Sequence, residues 1–276
     1  MDVDLAEMLA PFVGTVRQIR SVPGGDVCRA FRVTTATSAY FVKTPRRPDD
    51  WLLPVEAAGL NALGDVVPGL TPAVVHGESR FLLLDWVDES RPSRDAAADL
   101  GERLATLHAT PAPAFGTGPE HGRIADIAMP AGEFDSWPAM YAELRLRPLL
   151  TDETPISRRL VDALDEGPDW AGPPQPPSLL HGDLWSGNIL WAHRARIVDP
   201  AAHVGHRETD LGMLALFGAP FLDTILDAYD RRYPLASGWR DRVGLHQMWP
   251  LLVHARLFGG GYSQRAEQIA AGYLRR

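Results

Sequence analysis

Asp183, Asn188 and Asp199 are the residues whose types and spacing could do chemistry. They lie in the run Leu179–Pro200, LLHGDLWSGNILWAHRARIVDP, which holds one proton acceptor, one amide and one further carboxylate. Asp183 and Asn188 are five residues apart, so one tight loop can present both side chains to a single cavity. Asp199 follows eleven residues after Asn188. Between them Ile189–Trp191 and Ala195–Val198 read as short apolar strands around a polar turn at His193–Arg194. A hairpin of that size returns Asp199 to the side of Asn188. Phosphoryl transfer to an alcohol needs such a set. One carboxylate orients the hydroxyl and takes its proton, while an amide and a second carboxylate hold magnesium against the phosphates.

The spacing H-x-D-x-x-x-x-N, followed by a hairpin and Asp, is that of a protein-kinase-like catalytic loop. A helix-capping loop with ordinary turn residues would explain Asp183 or Asn188 alone. It does not explain the set. A second, independent feature is Lys43, the only lysine among 27 Lys and Arg residues. Where Arg serves for every other cation, this position calls for an ammonium. A compact point charge on a flexible stem suits two adjacent phosphates, for which a planar guanidinium fork is oversized. A stray surface lysine is the plain alternative. Against it, Lys43 closes the alternating strand Ser38–Lys43, and Glu56 follows thirteen residues on in a helical stretch. There the carboxylate can pair with Lys43 and hold it toward the α- and β-phosphates of ATP.

The elements that must position these groups read as two lobes. Leu5–Phe12 is a short leading helix. Strands are expected at Thr15–Ser21, Arg29–Thr35, Ser38–Lys43, Ala73–His76 and Arg80–Trp86, with a helix from Pro54 to Leu63. After Asp88 the pattern turns helical. Ser93 caps Arg94–His108, Asp135 or Ser136 caps a helix to about Leu150, and Ile156–Glu166 makes another. Asp210–Phe217, Pro220–Tyr233, Gly238–Phe258 and Tyr262–Leu274 complete the set, with a kink expected at Pro250. The Pro/Gly-rich stretches Pro111–Gly132 and Gly167–Pro177 are loops. The expected fold class is α+β and two-lobed, a small antiparallel sheet with one helix beside a larger, mainly helical lobe. Residues 1–87 would form the nucleotide-binding lobe and 88–276 the catalytic and acceptor-binding lobe.

Between the first two strands lie Gly24 and Gly25, whose amides at a hairpin apex can meet phosphate, although paired glycines also make ordinary turns. Cys28 reads as an inward strand residue, with no adjacent Lys or His to lower its pKa. Trp185 could stack on a sugar ring or be a core tryptophan under the loop. His181 reads as a structural imidazole and Asp210 as an acceptor for loop amides, buttressed by Arg207–Glu208. His203 and His206 lack a third ligand nearby in sequence. Arg145–Arg147 reads as a solvated helix face.

Composition sets outer limits. The 276 residues can bury a sizeable core, and 45% apolar with 22% charged residues is an ordinary globular balance. A net charge of −8 argues against a nucleic-acid partner and is mildly favourable for a cationic substrate. The one cysteine excludes an internal disulfide framework and suits a reducing cytosol. The acidic N-terminus is unlike a signal peptide, and no apolar run approaches the roughly 18 residues of a membrane span. The expectation is a cytoplasmic protein whose oligomeric state is left open.

HGDLWSGN, with Trp where protein kinases carry Lys, resembles the signature of fructosamine (ketosamine) kinases. These are small-molecule kinases related to aminoglycoside phosphotransferases and, more distantly, to protein kinases. The likeness extends through GGDVCRAFRVTT, YFVK, VEAAGLNAL, LGERLATLH, ELRLRPLL, VDPAAHVGHRETDLGMLALFG and VHARLFGGGY, nearly the whole chain. It implies an ATP- and Mg2+-dependent enzyme with Lys43 and Glu56 as the phosphate-holding pair. Asp183 would be the base, and Asn188 and Asp199 the magnesium ligands. In LLDWV the carbonyl of Asp85 and the amide of Val87 would face adenine. Asp199-Pro200-Ala201 replaces the DFG triplet, so no Phe switch is expected. The acceptor would be a ketosamine (fructosamine, ribulosamine or psicosamine), free or on a glycated protein. A kinase of an aminoglycoside, choline or homoserine is the alternative. From another class comes a catalytically silent nucleotide-binding scaffold, which the presence of Lys43, Asp183, Asn188 and Asp199 opposes.

Overall fold

The structure, a computed structural model, describes residues 3–23 and 27–276. The chain opens with helix α1 (Val3–Val13), followed by β1 (Gln18–Val22), β2 (Cys28–Thr34) and β3 (Ala39–Pro45). Helix α2 (Leu52–Val66) separates these from β4 (Val74–Gly77) and β5 (Leu82–Asp85). The five strands make one antiparallel sheet in the order β1-β2-β3-β5-β4. Strand alternation sorts the side chains onto two faces. Val33, Val42, Phe81 and Leu83 pack under Leu5 and Leu9 of α1. Cys28, Leu82 and Leu84 pack under Leu53, Ala57 and Leu60 of α2. Lys43 follows Val42 and pairs in register with Ala30 and Leu82, so period two turns its side chain to the α2 face. Gly24 and Gly25 lie outside the described residues.

The helical lobe begins with α3 (Arg94–Ala109), capped by Ser93, whose hydroxyl accepts from the Ala96 amide at 3.2 Å. The long loop after it carries the two-residue strands β6 (Arg123–Ile124) and β7 (Ile127–Ala128). The helix expected from residue 136 to about 150 is instead three short pieces: α4 (Trp137–Met140), a π-helical turn Tyr141–Leu146 and a 3-10 turn Arg147–Leu149. The wider turn carries Arg145 inward. Expected on a solvated face, it is buried and donates to the carbonyls of Pro130 and Leu144. Burial pulls its guanidinium down to about 10.

Then come α5 (Pro155–Leu164), β8 (Ser178–Leu180), β9 (Ile189–Leu190), β10 (Arg196–Ile197), β11 (His203–Gly205), α6 (Glu208–Phe217), α7 (Leu222–Arg232), α8 (Trp239–Phe258) and α9 (Tyr262–Tyr273). One apolar cluster joins α3 and α7 around the β9–β10 hairpin; the other joins α4, α5, α8 and α9. Helix α8 passes through Pro250, which has no N–H for the preceding turn. The Tyr141 hydroxyl enters there, donating to the carbonyls of Leu245 and His246 and accepting from the Trp249 amide. Among the described residues, no helix is long and apolar enough to cross a membrane.

Candidate active site

The β9–β10 hairpin forms as its apolar pattern requires, with Ile189 opposite Ile197 and Leu190 opposite Arg196. A backbone bond from Val198 N–H to the Asn188 carbonyl, 3.0 Å, closes its open end. Asn188 and Asp199 are thereby brought to one side. The loop before β9 is pinned from below. Asp210, fully buried at the start of α6, accepts from the amides of His181 (2.8 Å) and Gly182 (2.9 Å). The expected buttress by Arg207 and Glu208 is absent: Arg207 serves the carbonyls of Tyr233 and Pro234, and Glu208 pairs with Arg242. Asp210 is held by His108 instead, whose Nε2 lies 3.2 Å away while its Nδ1 meets the Tyr229 hydroxyl at 3.0 Å. Burial alone would raise the Asp210 carboxyl, but its hydrogen bonds from His108 and the loop amides hold it below the usual range. The sequence placed a histidine at the end of α3 without indicating this partner.

His181 is the structural imidazole expected. Its Nε2–H donates to the Val198 carbonyl at 2.9 Å, and Nδ1 accepts from the Asp183 amide at 3.2 Å. Burial depresses its pKa, consistent with this neutral tautomer. His206, Glu208 and His246 do gather in the core. Both oxygens of Glu208, however, accept from Arg242, at 2.6 and 2.9 Å, so the carboxylate of the group is already taken by a buried ion pair.

Above this platform the proposed groups converge. Asn188 Nδ2 donates to the backbone carbonyl of Asp183 (2.8 Å) and to its Oδ2 (3.1 Å). Burial raises the Asp183 carboxyl to about 7; Asn188 opposes this, and the charges of Asp199 and Asp210 add to it. Lys43 Nζ lies 2.8 Å from Glu56 Oε1 and also donates to Asp199 Oδ1. Burial by itself would lower Lys43, but the two carboxylates overcome it and hold the ammonium well above its ordinary value. Asp199 is lowered: the charge and hydrogen bond of Lys43 outweigh its partial desolvation. Glu56 is raised to about 7, by burial first and then by the repulsion of Asp199. Asp199 adopts a left-handed φ of 56°, a state that Asp tolerates better than bulkier residues. Its side chain stays 47% exposed. Asp199 and Asn188 offer hard oxygen donors, the set that magnesium takes.

These residues line one cleft of about 590 Å³ between the sheet and the helical lobe. Its far end is formed by Asp85, Trp86 and Val87, with Ala30, Phe41 and Leu190 as apolar walls. Among the described residues the Val87 amide makes no hydrogen bond, whereas Asp85 and Trp86 donate to Ala73 and Ala39. Cys28 is buried in the same wall, as expected, and burial pushes its thiol up. Trp185 is 40% exposed, which rules out the core alternative. Its ring meets Phe217 edge-on, with centroids 6.3 Å apart. Residues that sequence reasoning missed also line the cleft, Arg123 among them.

The fructosamine kinase family model matches residues 5–276. A Thermobifida fusca chain described as a fructosamine-3-kinase has a crystal structure with a TM-score of 0.89; it is 39% identical, and the match covers 99% of each chain. A probable ketoamine kinase of Enterococcus faecium is 31% identical over 271 residues, 91% of this chain and 94% of its own. The chloroplastic protein-ribulosamine 3-kinase of Arabidopsis thaliana is 31% identical over 278 residues, 94% of this chain and 83% of its own. Structures of a choline kinase and an aminoglycoside phosphotransferase, at 15% and 14% identity with TM-scores of 0.64 and 0.63, share the fold alone. The chain belongs to the fructosamine kinase family, as an ATP-dependent phosphotransferase with an alcohol group as acceptor on a two-lobed, protein-kinase-like fold.

Proposed function

We propose that the protein phosphorylates a sugar hydroxyl of ketosamines, with fructosamine, ribulosamine or psicosamine, free or protein-linked, as acceptors. The observation that carries the reading is the convergence of Asp183 and Asn188 with the Lys43–Glu56–Asp199 cluster in one cleft. The names of relatives, a ribulosamine 3-kinase among them, support the acceptor class. Asp183 orients the acceptor hydroxyl and takes its proton. Lys43, held by Glu56, binds the α- and β-phosphates, and the Asp85 carbonyl and Val87 amide bind adenine. Asn188 and Asp199 hold magnesium, which when bound neutralises charge developing on the phosphates. Gly24 and Gly25 offer amides to phosphate, and Trp185 presents an indole face to the sugar ring. The lobes divide at residues 87 and 88. Most of the rate enhancement comes from positioning and electrostatics, as is general for this chemistry.

The test is a panel of ketosamines and aminoglycosides assayed for magnesium-dependent ATP consumption. Turnover on ketosamines, reduced about 10²–10⁴-fold in Asp183→Asn with nucleotide affinity kept, is the expected result. Turnover on aminoglycosides alone would replace the acceptor class. Nucleotide binding with no turnover on any acceptor would favour the silent scaffold.

A further inference from the structure

The loop between α3 and α4 reaches from the helical lobe to the N-terminal lobe beside the cleft. Arg123 Nη1 lies 2.7 Å from Asp49 Oδ2, and the Trp51 indole stacks on the His121 imidazole with centroids 3.8 Å apart and planes at 28°. Asp49 does two jobs. Its other oxygen, Oδ1, accepts from the amides of Trp51 (3.0 Å) and Leu52 (2.9 Å), where α2 begins. A carboxylate there also meets the positive end of the helix. Arg123 is itself fixed, because its Nε donates to the Ala125 carbonyl at 3.1 Å across a tip where Ala125 holds a left-handed φ of 48°.

Helix α2 carries Glu56 about one turn beyond Leu52. Its middle rests on the Pro200–Ala202 segment that follows Asp199, close enough that a Cβ on Gly59 would lie 3.1 Å from both Pro200 and Ala202. A helix held at two points is a fixed rod, and the second point here is the Arg123–Asp49 contact. From these contacts we infer that Asp49 and Arg123 are positioning residues: they latch the helical lobe's loop to the start of α2 and so set the Glu56–Lys43 pair for nucleotide. The inference rests on the kinase reading of the cleft. It assigns the loop a part in nucleotide binding that no acceptor contact requires.

The ion pair is partly exposed, with 21% and 29% side-chain exposure, so its effect is modest. Asp49→Asn keeps an oxygen for the Trp51 and Leu52 amides but loses the charge facing Arg123; Arg123→Met removes the other partner. Each should raise the dissociation constant for ADP–magnesium, read by calorimetry, roughly two- to fivefold. The double variant should be no worse than either single one. In a Glu56→Ala background both effects should vanish, because the latch acts through that pair. A lower melting temperature with unchanged nucleotide affinity would reduce the pair to a structural brace and overturn the inference. An Arg123→Met effect that persists in Glu56→Ala would overturn it too, in favour of direct contact between Arg123 and phosphate. If the parent binds no nucleotide, the kinase reading falls with it; if the parent binds and Asp49→Asn is indistinguishable from it, the latch alone falls.

Discussion

Asp183 sits where a carboxylate is reluctant to ionise. It is desolvated, Asp199 and Asp210 repel its charge, and the Asn188 amide is the main group pulling the other way. With its carboxyl at about 7, the proposed base is half protonated near neutrality. The acid limb of kcat/KM for the acceptor, taken at subsaturating nucleotide so that the free enzyme is the reference state, should therefore fall near pH 7, with activity rising as the proton leaves. Asn188→Ala removes the opposing hydrogen bond and should move that limb to higher pH, measured as a full pH–rate profile. A limb that stays in place would detach Asn188 from Asp183. The stability sign is opposite to that of activity. Between about pH 4 and 7 the folded protein keeps a proton that the unfolded chain has released, so raising pH through that window removes stability. The most active protonation state is thus not the most stable one.

At the scale of elements, α3 and α7 show how closely this fold is packed behind the β9–β10 hairpin. A Cβ on Gly101 of α3 would lie 2.2 Å from the Ile225 carbonyl and 3.1 Å from the Ala228 side chain. Backbone cannot yield as a side-chain tip can. Gly101→Ala gains helix propensity of about 1 kcal/mol, yet overpacking of this kind costs about 1–3 kcal/mol and occasionally more. Net destabilisation should appear as a melting temperature lowered by several degrees, with nucleotide affinity unchanged. An unchanged or higher melting temperature would show that the helices stand further apart. The five strands of the sheet, the β9–β10 hairpin and most helices were legible in the sequence because alternation and helical periodicity are local signals, whereas the two- and three-residue strands β6, β7 and β11 are too short to carry one. The Asp183–Asn188–Asp199 hairpin was legible for the same reason, its parts lying within one short run. Contacts between distant segments were not: Asp49 and Arg123 are 74 residues apart, and His108 and Asp210 are 102 apart. Local patterning does not choose partners at that range. The π-helical turn misled in another way, since its wider period rotates Arg145 off the face that 3.6-residue spacing assigns it.

At the scale of the whole molecule, the proposed nucleotide site is made of two halves. Lys43, Glu56 and the 85–87 strand end come from the sheet lobe, while Asp183, Asn188 and Asp199 come from the helical lobe. The Lys43–Asp199 contact already spans the cleft. A nucleotide bound between them would add contacts to both lobes in the folded state alone. By linkage, ADP–magnesium at one hundred times its dissociation constant should stabilise the protein by about 2.7 kcal/mol. For a chain of this size that is a rise of roughly 5–10 °C in melting temperature. Lys43→Arg makes the test specific. Charge is conserved, so a surface role would leave both the fold and the shift within about 0.5 kcal/mol of the parent. A guanidinium cannot take the place of a compact ammonium between Glu56, Asp199 and two phosphates without displacing one of them. The variant should therefore melt close to the parent without ligand, lose most of the nucleotide-induced rise, and lose most phosphoryl transfer with it. A full shift in Lys43→Arg would mean that the nucleotide bridges the lobes without the lysine, and the proposed phosphate-holding pair would have to be sought elsewhere in the cleft.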